Sequence, residues 1–134
     1  MPHVTIEAEW DCDRLIQKAQ TGVERFGRSV LKTDQSWRRR DGQAVLVEGV
    51  VVEFSRPLHP VAVIAPHEKG VIVRLWSLLA VERTVPVQRW MAGVADWAAT
   101  ALAGRVVATN LHPEAVAGYA WEELSGPGRL PDDG

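Results

Sequence analysis

Ser36-Trp37-Arg38-Arg39-Arg40-Asp41-Gly42-Gln43-Ala44-Val45-Leu46-Val47 is the stretch from which the fold is read. Asp41-Gly42 stands between two strand-like runs, and both residues tolerate positive φ, so the segment predicts a β-hairpin. Its second arm continues through Val45–Phe54, apolar apart from Glu48, Gly49 and Glu53. A strand that is apolar at successive positions needs cover on both faces. The expectation is an antiparallel sheet centred on this strand, covered on both sides by helices or on one side by a partner chain. Gly49 marks a bulge or a close backbone approach.

Upstream, Val4, Ile6 and Ala8 alternate with Thr5, Glu7 and Glu9, the pattern of a half-buried strand. Asp11 or Asp13 then caps a helix, because Leu15, Ile16, Ala19, Val23 and Phe26 recur at helical spacing and Gly27 stands at a C-cap position. Residues 4–26 therefore read as strand, then amphipathic helix. Downstream, Ser29–Thr33 is a strand of its own or runs on into Trp37–Arg40. The two prolines of Arg56-Pro57-Leu58-His59-Pro60 make a stiff loop. Val61–Ala65 and Val71–Trp76 are strand candidates around a turn at 66–70, and Trp76–Val81 fits either a strand or one helical turn. Pro86 opens the clearest helix, with Val87, Trp90, Met91, Val94, Trp97, Ala98, Ala101 and Leu102 on one stripe and Gly104 at its end. Asn110 or His112 starts a short helix that turns Val116, Tyr119, Ala120 and Leu124 inward.

The length of 134 residues suits one domain, placed at 1–124 with a tail at 125–134. A composition 46% hydrophobic and 24% charged is that of a globular domain. The net charge of −2 supplies no basic field to collect nucleic acid, which argues against that partner class. One cysteine, Cys12, leaves no intramolecular disulfide and suits a reducing compartment. No signal-peptide pattern begins the chain and no apolar run reaches the ~20 residues of a membrane span, so the expected location is cytoplasmic and away from the membrane.

No catalytic, metal or nucleotide motif is present, and no cofactor is implied. The four histidines, His3, His59, His67 and His112, show no metal-ligand spacing. Leu-His-Pro occurs at 58–60 and again at 111–113, which reads either as two loop histidines held extended or as two imidazoles meeting at one end of the sheet. Cys12 between two aspartates reads as structural, since flanking carboxylates oppose thiolate formation. Trp37, Arg38 and Arg40 form the partner-binding candidate: alternation puts Arg38 and Arg40 on one face, and guanidinium groups bind acidic partners bidentately. The opposing reading is a solvated edge strand whose charges block pairing. Six tryptophans are many for this length, and any that lies exposed marks a surface for contact.

These readings give an α+β domain. An antiparallel sheet of about four to six strands carries an N-terminal strand-helix unit and one or two C-terminal helices packed on it. The expected role is non-catalytic: association with another protein or with its own copy, as an adaptor, an assembly component or an immunity-type inhibitor. The alternative is a small-molecule-binding domain or small enzyme with a pocket between sheet and helices, lined by His59, His67, His112 and Tyr119.

Overall fold

The computed structural model describes residues 1–68, 70–78 and 80–125. Its elements, in chain order, are β1 (His3–Glu7), α1 (Cys12–Gln17), β2 (Gly22–Phe26), β3 (Ser29–Arg38), β4 (Val45–Glu53), β5 (Arg56–Leu58), β6 (Val61–His67), β7 (Gly70–Leu75), α2 (Val85–Ala101), β8 (Arg105–Thr109) and α3 (Pro113–Val116). The strands form one 8-stranded sheet in the order β2-β3-β4-β6-β7-β1-β8, with β5 paired beside β4. Every pairing is antiparallel. The α+β class expected from the sequence is the class found, and the sheet is larger than four to six strands.

The extra strands come from three segments. Residues 22–26 are β2 rather than the end of the first helix, which stops at Gln17. Val23 and Phe26 fit a helical stripe, but Val23 is 70% exposed and gains nothing from facing a core. Pairing with β3 satisfies the backbone of this segment instead, from Gly22↔Thr33 to Phe26↔Ser29. Gly27, read as a helix cap, is the first turn residue of that hairpin at φ +60. The proline-bearing loop contains β5, an edge strand where proline costs no ladder bond on its free side. The third is β8, which follows α2 and pairs with β1.

The helix expected from Pro86 onward is α2. Thr84 caps it by accepting from the Val87 amide. At its other end Leu102 is the C-cap, and Ala103, at φ +55, takes the left-handed position expected of glycine. Gly104 serves a different need: a Cβ there would stand 2.4 Å from the Glu7 carbonyl oxygen. The helix buries Val87, Trp90, Met91, Val94, Ala95 and Ala98 against Val4, Ile6, Leu31, Val47, Ile64 and Val73 of the sheet. It touches β1, β3, β4, β6, β7 and β8, so the sheet wraps around it. Cys12 and Leu15 of α1 join the same core. Arg14 Nε donates to the Ala101 carbonyl at 2.5 Å, satisfying an otherwise free end of α2.

All three α-helices of the described residues therefore lie on one side. Residues of β4 alternate between buried and half-exposed along its length. This corrects the expectation of helices over both faces of the central strand: the inner face is packed under α2, and no described helix lies over the outer one. Residues 126–134, most of the expected tail, lie outside the described residues.

Candidate functional site

Cross-strand partners share a face, so the register defines what the outer face presents. One row runs Trp37↔Leu46, Leu46↔Val63 and Val63↔Arg74 across β3, β4, β6 and β7. Beside it stand Glu48↔Val61 on one flank and Ala65↔Ile72 on the other. Lys32↔Val50 and Val30↔Val52 extend the face toward β2. The result is an apolar field of half-buried Leu46, Val50, Val61 and Ile72 around Val63, itself only 8% exposed, with a few charges set into it. Trp37 is 52% exposed, and its Nε1 donates to Glu48 Oε2 at 2.8 Å.

Four strands at ~4.8 Å spacing and about seven residues at ~3.3 Å give this field a footprint of roughly 400 Å². The signal was present in the sequence as the two-sided apolarity of Val45–Phe54. What the sequence did not supply was Val63 and Ile72, which reach the same face only through strand order.

The structure divides the Trp37, Arg38 and Arg40 set. Trp37 faces outward. Arg38, paired with the inner-face Val45, reaches α1 and contacts Asp13 at 2.6 Å. Arg40 is not in a strand at all. It sits in the loop Arg39–Ala44, closed by Arg39 N–H to the Ala44 carbonyl at 2.9 Å. The alternation drawn through Arg40 fails because the strand ends at Arg38. Trp10 Nε1 donates to the Gly42 carbonyl at 2.8 Å and, with the Arg38–Asp13 pair, ties the loop to the N-terminal helix.

The histidines and Tyr119 are not brought together. His59 precedes β6 and His67 ends it, with the length of that strand, about 20 Å at the ~3.3 Å rise, between them. Both are exposed. His112 caps α3, its Nδ1 accepting from the Glu114 amide at 3.1 Å. Tyr119 stacks on Trp121 at 5.3 Å between ring centres, and burial pushes its hydroxyl pKa up. Cys12 is buried, and its thiol is likewise pushed up, chiefly by that burial. Among the described residues no three His, Cys, Asp or Glu side chains converge on a metal position. No described helix is long and apolar enough to cross a membrane.

A cleft of about 240 Å³ does open between sheet and helix, but elsewhere. Leu31, Val47, Trp90, Val94 and Trp97 form its walls, and Thr33 and Ser36 supply hydroxyls. Trp90 Nε1 already donates to Thr33 Oγ1 at 3.0 Å, and Trp97 Nε1 to the Lys18 carbonyl at 2.7 Å. The helical stripe placed both tryptophans in the core; it held no sign that β2 would stand away from α2 and leave this opening. No family model matches the chain, and no curated protein or solved structure is found to be similar to it.

Proposed function

We propose that this chain acts without catalysis, by binding a protein surface through the outer face of its sheet. The observation that supports the reading is the field of Leu46, Val50, Val61, Val63 and Ile72, which no described helix covers. Trp37 at its border, fixed by Glu48, is the kind of rigid aromatic anchor that carries binding energy. Its setting is the cytoplasm, in keeping with one buried, unpaired cysteine. The test is native mass spectrometry of the protein recovered from its host, beside a Leu46→Asp variant. A complex present with wild type and lost in Leu46→Asp supports the reading; a bare monomer in both overturns it.

The alternative, a small-molecule binder, is favoured by the cleft between Trp90 and Trp97. Its walls are largely apolar and Thr21, Thr33 and Ser36 bring hydroxyls to its lining, an arrangement suited to a small apolar ligand with a hydrogen-bonding group. Quenching of tryptophan fluorescence on adding such ligands, abolished by Val94→Trp to fill the cleft, checks it.

A further inference from the structure

We infer that the outer face takes a second copy of this chain, with Glu48 of each protomer set against Arg74 of the other. This rests on the association reading and names its partner. Glu48 lies in the apolar field on β4 and accepts only from the Trp37 indole, a neutral donor. Arg74 lies on the same face two strands away, opposite Val63 and His3. Among the described residues neither has an ion-pair partner. Arg25, opposite Val30 on the β2 flank of the face, also has no ion pair there but lies away from the apolar field. The field itself carries a carboxylate and a guanidinium without ion-pair partners, which makes it complementary to itself.

Geometry permits the match. From the register, Glu48 and Arg74 are two strands and one residue pair apart, about 12 Å between Cα atoms. A two-fold axis lying in the plane between two facing sheets, and crossing midway between these residues near Val61 and Val63, exchanges them. Each carboxylate then meets the other copy's guanidinium, and the pair is made twice. Leu46 and Val61 meet their own counterparts around the axis, as an isologous interface requires. Twisted sheets stack in this way about 10 Å apart.

Size sets the strength. A footprint of roughly 400 Å² per copy falls below the ~800 Å² of a standard interface. The self-association belongs in the micromolar range, with the charge pair deciding register more than affinity.

Sedimentation of the purified chain across micromolar concentrations tests this, with Arg74→Glu, Glu48→Arg and the double exchange. Arg74→Glu is the primary variant, since Arg74 is exposed and holds no partner within the fold. It should weaken the dimer about tenfold or more, by setting two carboxylates against each other twice. The double exchange should return the dimer to within about threefold of wild type, because the pairs re-form with reversed sign. A dimer indifferent to Arg74→Glu overturns this arrangement. A wild-type monomer up to about 1 mM overturns self-association altogether. In that event a complex from the host that Leu46→Asp abolishes leaves the association reading standing, and its absence removes both.

Discussion

The indole of Trp90 rests on the backbone of Gly49: a Cβ at position 49 would stand 2.3 Å from Cε2 and 2.5 Å from Cζ2. Trp90 is 2% exposed, and its Nε1 reaches Thr33, the cross-strand partner of Gly49. Helix, central strand and the next strand thus meet at one side chain. The seat exists only because position 49 has no side chain.

Gly49→Ala should cost more than about 2 kcal/mol, the scale of overpacking a closed core, when measured by urea unfolding. Placed in a Trp90→Leu background, the same change should cost less than half as much, since the clashing ring is gone. Additive costs in the double variant would show that Gly49 is required for some reason other than Trp90.

Arg89 is the second junction. Its Nη1 donates to the Ala115 and Ala117 carbonyls at 3.2 and 2.5 Å, and its Nη2 meets Glu24 at 3.1 Å. The guanidinium also stands over the rings of Tyr119 and Phe26, at 4.6 and 5.5 Å. Arg89→Met keeps the stem and removes the fork, which should cost about 2 kcal/mol and speed amide exchange across 113–119. Arg89→Lys should recover less than half of that stability, because one ammonium does not span these partners. Full recovery by lysine would reduce the junction to simple charge.

Two backbone positions carry strain that substitution relieves. Phe54 and Ser55, at φ +51 and +62, form the tight turn between β4 and β5, and Phe54 is 90% exposed. Replacing them with Asn-Gly, the residues this turn prefers, should raise stability by about 1 kcal/mol or more. Ala103→Gly should gain about 1 kcal/mol at its φ of +55. Gly104→Ala next to it should destabilise, through the Glu7 carbonyl 2.4 Å from the new Cβ. Thermal melts of the three variants check all of this, and a loss of stability in Ala103→Gly would contradict the assignment of its strain.

Where local chemistry decided the structure, the sequence could be read. Pro86 and the stripe from Val87 to Leu102 gave α2 almost to the residue, and Val4–Glu7 gave β1. Position 49 was legible as a close approach, though not its partner Trp90, fifty-seven residues from Thr33 in the hydrogen bond they share. Turn chemistry misled in a specific way. Asp41-Gly42 closes a wide loop in which only Gly42 has positive φ, whereas a tight turn falls on Phe54-Ser55, residues that seldom adopt positive φ. The first helix was overread because Val23 and Phe26, three residues apart, continue its stripe, whereas pairing with β3 makes the segment a strand that sets them on opposite faces. The outer face was half legible. Leu46 and Val50 announced it, while Arg74 and Val63 join it only through a strand order that no local pattern encodes.

Asp41 supplies a pH test of the loop that carries Arg40. The Arg39 guanidinium, bonded to it at 2.6 and 2.8 Å, holds its carboxyl pKa down at about 2, helped by the Gln43 amide. An unfolded aspartate titrates near 3.9. A depressed folded value means that the contribution is complete above about pH 4 and is lost as pH falls toward 2, where the proton displaces both partners. The site is exposed, so the effect belongs to the loop rather than to global stability. The Gln43 amide proton, followed by NMR, should therefore titrate with a midpoint near 2, and Asp41→Asn should abolish that transition. A midpoint near 4 would mean that Arg39 and Asp41 do not hold each other in solution, and that the loop relies on Trp10 and the Arg38–Asp13 pair alone.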